Sequence, residues 1–333
     1  MSPPEKKPAS PTKTRLRWIG TLISAALFVW LLARQDWQAV WENLSRLPLW
    51  VLVLALGLYF TGMVANALRW YVLLKAPGIR APFGEVLKIV LLGAFVSNFL
   101  PSTIGGDAVR FFSMLRFTGD RAATLASVFL DRLVNVASFF TVLPFTLLTF
   151  GPRLDYLTPL AVLASPLFAM AAAPPSGGGR SWTDRLRRLV SRGRTTFAIW
   201  LRRPGIVLLA LAVSWLSIFV VFLAIWVIAR GLGIPVALYQ VMGVTAVTYL
   251  LTLLPISING YGVREVAVTA LYMQLGGTLE QSSALALITR FLMLLETTPG
   301  ALWVSDTVPL WSATENVSAA EAPANSDPHT GAG

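Results

Sequence analysis

Apolar runs long enough to cross a membrane dominate the pattern of the chain. A bilayer core takes roughly 20 consecutive apolar residues in a helix. By that ruler residues 18–34, 48–68, 122–150, 155–173, 205–230 and 283–304 each read as a full span. Two further apolar regions, 84–116 and 236–276, are broken near their middles by proline, glycine and charge. Each reads as a helix–break–helix hairpin that re-enters from the side where it began. The predicted fold is an all-α polytopic membrane protein with six full spans and two broken re-entrant helical hairpins. Residues 84–100 alone reach just far enough to cross at about 1.5 Å per residue, so eight spans is the count if the hairpins span.

Polar segments frame this membrane domain, which covers residues 18–304. Residues 1–17 form a basic tail (Lys6, Lys7, Lys13, Arg15, Arg17). No small-x-small cleavage site follows the first apolar run, so that run reads as an uncleaved span. Residues 174–204 form an Arg-rich loop, with eight arginines against Asp184 in 180–203. Residues 305–333 read as a disordered tail. Lys and Arg mark the cytoplasmic side. If the hairpins re-enter, the basic tail, the Arg-rich loop and both termini fall there. The expected location is the bacterial cytoplasmic (inner) membrane. The Arg-rich loop reads first as a topology determinant; gripping anionic headgroups is the functional alternative.

Composition agrees and removes several chemistries. Charged residues are 13% of the chain and mean hydropathy is +0.66, whereas soluble domains carry about 25% charged residues. With no cysteine, disulfides, thiol catalysis and cysteine metal sites are excluded. The single histidine, His329, lies in the polar tail, which excludes histidine triads and histidine–metal centres. The net charge of +11 is distributed as topology signals, so no nucleic-acid partner is expected.

The two broken regions resemble each other. LPSTIGGDAVR (Leu100–Arg110) and LPISINGYGVR (Leu254–Arg264) match without gaps at six of eleven positions. A second echo sets LASVFLDRL (Leu125–Leu133) against LALITRFL (Leu285–Leu292), placing Arg132 opposite Arg290. The repeat therefore covers 98–132 and 254–290, and on this topology its copies are inverted. Interrupted helices at corresponding positions of inverted repeats mark secondary transporters, with a midplane site between the halves. A duplicated structural scaffold is the alternative.

Charges at membrane depth are few: Asp107 with Arg110, Asp131 with Arg132, Arg264 with Glu265, and Arg290 with Glu296. Each unpaired charge costs roughly 2.5–3.5 kcal/mol at a helix centre, so these must be paired, hydrated or bound to a ligand. Arginine suits phosphate because its planar fork donates bidentately. Gly105, Gly106, Gly260 and Gly262 can take positive φ and expose backbone amides. Helices beginning just after them would add their dipoles to an anion site. Pro101 and Pro255 each free a carbonyl, and Ser102, Thr103, Ser257 and Asn259 can satisfy freed backbone groups or touch a headgroup. Internal salt bridges that merely stiffen the fold are the alternative, as is proton carriage by Asp107, Asp131, Glu265 or Glu296. Asn66 and Arg69 read as interfacial anchors, beside Trp70 and Tyr71 in an aromatic belt. No residue set calls for a metal, a cofactor or a catalytic group.

At these residues the chain resembles a known family. NFLPSTIGGDAVR (Asn98–Arg110), SVFLDR (Ser127–Arg132) and LPISINGYGVRE (Leu254–Glu265) are similar to the lysylphosphatidylglycerol synthase transmembrane-region family, also called flippase-like membrane proteins. The similarity covers residues 15–305. In the two-part synthases this region is taken to flip the aminoacylated lipid that a soluble domain makes. Only a short tail follows here, so the resemblance implies a stand-alone member, and aminoacylation is not carried over. It does carry Pro101, Gly105, Gly106, Asp107, Arg110, Asp131, Arg132, Pro255, Gly260, Gly262, Arg264 and Glu265 into a headgroup site. The expected function is translocation of an anionic phospholipid or polyprenyl-phosphate-linked lipid, with a lipid-synthesis enzyme as a candidate partner. A non-catalytic scaffold for envelope lipid synthesis is the second reading. A membrane glycosyltransferase or lipid phosphatase is the third.

Overall fold

The computed structural model describes residues 42, 45, 47–98, 104–151, 198–253 and 262–307. The first and fourth expected spans (18–34 and 155–173), the polar tail 1–17, the tail 305–333 from residue 308 onward and most of the Arg-rich loop lie outside them. Every regular element among the described residues is helical. The elements are α1 (Leu49–Leu74), α2 (Phe83–Ser97), α3 (Ile104–Met114), α4 (Arg121–Phe140), α5 (Leu143–Phe150), α6 (Pro204–Gly231), α7 (Leu238–Leu253), α8 (Val263–Gln274) and α9 (Leu279–Thr297). A 3-10 segment, Thr298–Thr307, prolongs α9.

Four stretches are long and apolar enough to cross a membrane: Leu49–Leu74, Arg121–Phe150, Pro204–Gly231 and Leu279–Val304. They match four of the six clean runs. The longest contact joins α1 to α6 in antiparallel fashion. Trp200 donates to the Leu73 carbonyl at 3.0 Å, Ser217 to the Gly62 carbonyl at 2.8 Å, and Gly231 faces Leu47 and Val51. Hydrocarbon gives helices no hydrophobic drive to associate, so small residues that admit close approach do this work.

The two broken regions form helix pairs. At about 1.5 Å per residue, the 15 residues of α2 and 16 of α7 fall short of a bilayer core of about 30 Å. In each region the two halves pack against one another, α2 on α3 and α7 on α8. Gly93 and Gly106 meet so closely in the first pair that a Cβ on Gly106 would strike Ser97 Oγ and the Gly93 carbonyl. The breaks themselves, 99–103 and 254–261, lie outside the described residues.

Each pair leans on the span that follows the other. α2 packs on the segment Thr298–Thr307 beyond α9, where Gly300 sits against the Leu91 backbone. α7 packs on α5 beyond α4, where Thr146 donates to the Gly243 carbonyl at 3.0 Å. The helix starts are fixed locally. Asp120 accepts from the Ala123 amide at 2.9 Å to cap α4, and Thr278 and Gln281 form a capping box on α9.

Candidate functional site

α1 carries Arg69 deep into the bundle, only 3% exposed. This corrects the reading of Arg69 as an interfacial anchor. The hydropathic run ends at residue 68, but the helix continues to Leu74, so Arg69 lies within it. Its guanidinium donates to Asp131 Oδ1 at 2.7 Å, Asn135 Oδ1 at 2.9 Å, Ser214 Oγ at 3.0 Å and Asn66 Oδ1 at 2.6 Å. Trp70 is likewise interior rather than in an aromatic belt: it is fully buried, donates to Ser127 Oγ at 3.3 Å and stacks beneath Arg110, whose Cζ lies 4.2 Å from the ring centroid.

Asp131, on α4, is 1% exposed and takes a second arginine on its other oxygen, Arg110 Nη2 at 2.7 Å. Arg110 lies 3.7 Å from Asp107, and Asp107 accepts from Arg132 Nε at 2.7 Å. The sequence places Asp107 beside Arg110 and Asp131 beside Arg132. The structure keeps the first pair, three residues apart on one helix face, but not the second, because adjacent residues on a helix do not face each other; across α3 and α4, Asp131 takes Arg110 and Arg132 takes Asp107. Asn135 donates to the Tyr249 hydroxyl at 2.9 Å and ties the network to α7. A charge network of this kind holds only while complete, since removing one partner strands a buried charge.

This network opens on a cavity of about 330 Å³, within the range of small-molecule sites. Arg69, Arg110, Arg132, Asp107 and Asp131 line it, and α9 contributes Glu296 and Met293. Gly62, Gly93, Gly106, Ser97 and Ser217 make the room. Gly105 and Gly106 belong to α3 and are absent from the positive-φ positions, so they do not form the expected amide turn. Gly106 acts through its missing side chain.

The second motif goes elsewhere. Gly262 does take positive φ, at 84°, and its N–H donates to Glu265 Oε2 at 2.7 Å. Glu265 Oε1 accepts from Arg290 Nε at 2.7 Å and lies 3.7 Å from Arg264. Arg290 thus pairs with Glu265, not with Glu296 as the sequence order implied. Arg264 borders a separate void of about 10 Å³ with Tyr272 and Thr289, room for about one water. The expected joint site therefore divides: Arg264, Glu265 and Arg290 do not line the large cavity, which α9 reaches with Met293 and Glu296. Ser102, Ser257, Asn259 and Gly260 lie outside the described residues. Sequence reasoning missed Asn135, Tyr249 and the interior role of Arg69; the signal for Arg69 was an arginine in a 26-residue apolar helix.

The two halves share one device. Asp107 binds Arg132 and Glu265 binds Arg290, each through Nε at 2.7 Å and each across a separation of 25 residues. Among the described residues no three His, Cys, Asp or Glu side chains gather to hold a metal ion.

A family model described as lysylphosphatidylglycerol synthase TM region matches residues 17–300. The chain belongs to that family. It is also similar to a UPF0104 membrane protein of Archaeoglobus fulgidus, 29% identical over 134 residues, covering 40% of each chain. A second UPF0104 membrane protein, from Pyrococcus horikoshii, is 26% identical over 123 residues, covering 36% of this chain and 37% of the relative. The chain thus spans about two fifths of the length of these curated relatives.

Proposed function

We propose that this member of the lysylphosphatidylglycerol synthase transmembrane family is a lipid translocator that passes an anionic or phosphate-bearing headgroup through the cavity between its first helix pair and α9. The observation that carries the reading is the lining of that cavity: three arginines, beside two aspartates that they pair with, inside a bundle of apolar helices. Arginine at membrane depth is costly unless it serves a pathway or a ligand, and its fork fits phosphate. Reciprocal packing of the two helix pairs, with a matching acid–arginine clamp in each half, supports an inverted repeat and alternating access. The basic N-terminal tail and the Arg-rich loop favour cytoplasmic termini.

A scaffold is the second reading, favoured by the four hydrogen bonds that hold Arg69 within the protein. Headgroup accessibility in proteoliposomes separates the two. Fluorescent phosphatidylglycerol and a fluorescent polyprenyl phosphate are followed with a membrane-impermeant quencher. Arg132, whose side chain is 38% exposed, is the substitution least confounded by folding. Wild type should equilibrate lipid faster than empty vesicles and Arg132→Ala should lose most of that rate. Wild type indistinguishable from empty vesicles with every lipid would leave the scaffold.

A further inference from the structure

The cavity holds one carboxylate that the arginines do not use. Asp131 is saturated by Arg69 and Arg110, and Asp107 by Arg132 and Arg110. Glu296 reaches the same cavity from α9, is 9% exposed, and makes no hydrogen bond or ion pair among the described residues. Resting on the translocator reading above, we propose that Glu296 is a proton-binding site that couples headgroup binding to proton uptake, the anionic headgroup and one proton entering the cavity together.

The charge of the cavity wall leads there. Three arginines face two committed aspartates, so with Glu296 neutral the wall carries one positive charge in excess. A singly charged phosphodiester cancels it. With Glu296 ionised the wall is already balanced, and a headgroup would bring an uncompensated negative charge into a low-dielectric space. Each ligand therefore favours the other, and the effect is reciprocal. The groups that face Glu296 are few. From α1 come Tyr59, its electrostatic neighbour, and Arg69 across the cavity. α3 presents Asp107 and Arg110, and α4 presents Asp131 and Arg132. From α8, Arg264 and Tyr272 interact with Tyr59 but do not line this cavity. α2 brings Gly93, Ala94 and Ser97, and α6 brings Ser217 and Val221, none of them charged. Residues 298–304 carry no charge. On entry a proton passes from water to a Glu296 carboxylate oxygen; on release it returns to water, and no covalent bond of the lipid changes.

The test is binding of fluorescent phosphatidylglycerol to the full chain in nanodiscs as pH is raised, with phosphatidylcholine as the net-neutral control. The phosphodiester keeps its single charge throughout. Wild-type affinity should fall towards a limiting slope of about tenfold per pH unit, the signature of one linked proton. Glu296→Gln should hold the acid-side affinity at every pH, and Glu296→Asp should restore a slope, which guards against a folding artefact. A flat wild-type profile, or an undiminished slope in Glu296→Gln, overturns the proposal while leaving the translocator reading in place. Failure of wild type to bind or move anionic lipid at any pH removes the reading and the proposal together.

Discussion

Of the charges in the cavity wall, Asp131 is the one whose loss strands two others, because Arg69 and Arg110 each donate to a different oxygen of it at 2.7 Å. Arg69 keeps Asn66, Asn135 and Ser214 as acceptors. Arg110 keeps Asp107 at 3.7 Å, and its buried Nε has no hydrogen-bond partner. Breaking a buried pair by removing one member costs about 3–5 kcal/mol, so Asp131→Ala should lower the melting temperature in detergent sharply. Glu85→Ala is the contrast. Its bridge to Lys88, at 2.7 Å, lies between side chains 29% and 44% exposed, and pairs of this kind are worth up to about 1 kcal/mol. A Glu85→Ala loss as large as that of Asp131→Ala would mean that burial does not set the strength of these pairs. Half of this network was legible in advance. Asp107, Arg110, Asp131 and Arg132 stood out as charges inside apolar runs and Asp107 with Arg110 was readable as a pair, but the partners across helices could not be read, because contact between two helices depends on rotation about each axis. Arg69 was lost to a boundary: hydropathy stops where charge begins, whereas the helix continues for as long as its backbone bonds and packing allow.

At the scale of elements, glycine separates close packing from mere helix composition. Gly106→Ala puts a methyl group into Ser97 and the Gly93 carbonyl, and the backbone obstacle cannot turn aside. Overpacking of this sort costs typically 1–3 kcal/mol. The α2–α3 pair should splay, and its amide hydrogen exchange should rise before that of α1 and α6. Gly57, inside α1, has nothing within 4 Å of the position its Cβ would take. Gly57→Ala should therefore be neutral or stabilise by up to about 1 kcal/mol through helix propensity alone. If both substitutions behave alike in thermal melts, the close approach of α2 to α3 is wrong. The broken regions themselves were readable, since proline and glycine interrupting an apolar run have few other meanings. The conformation of their glycines was not: Gly262 takes the expected positive φ, while Gly105 and Gly106 are helical. Gapless alignment hides the cause. It pairs Arg110 with Arg264, yet the acid–arginine clamps coincide only when one copy slides by four residues, about one helical turn. A slide of one turn nearly preserves the face of a helix, so the halves can share a clamp while their motif arginines diverge, Arg110 to the large cavity and Arg264 to the small void.

For the whole molecule, the question is whether the first helix pair moves against α9. Beside the close packing of α2 on the segment beyond α9, a polar contact joins α2 to α9 itself: Asn98 Nδ2 donates to Thr297 Oγ1 at 2.9 Å, one residue from Glu296 and at the edge of the break in the first pair. Alternating access requires this contact to open in one state and close in the other. The chain has no cysteine, so cysteines placed at Asn98 and Thr297 would be the only thiols present. A short bifunctional thiol reagent with a reducible link should then join α2 to α9 without touching the arginine network. The cross-linked protein should keep its melting temperature and its binding of fluorescent phosphatidylglycerol, because the cavity wall is intact. Lipid equilibration across proteoliposomes should fall to the level of empty vesicles, and reduction of the link should restore it. Both singly substituted proteins, treated alike, should equilibrate lipid at their untreated rates. If the cross-linked protein moves lipid as fast as the reduced one, the junction of the first pair with α9 is a fixed seam, and any gate lies between other elements.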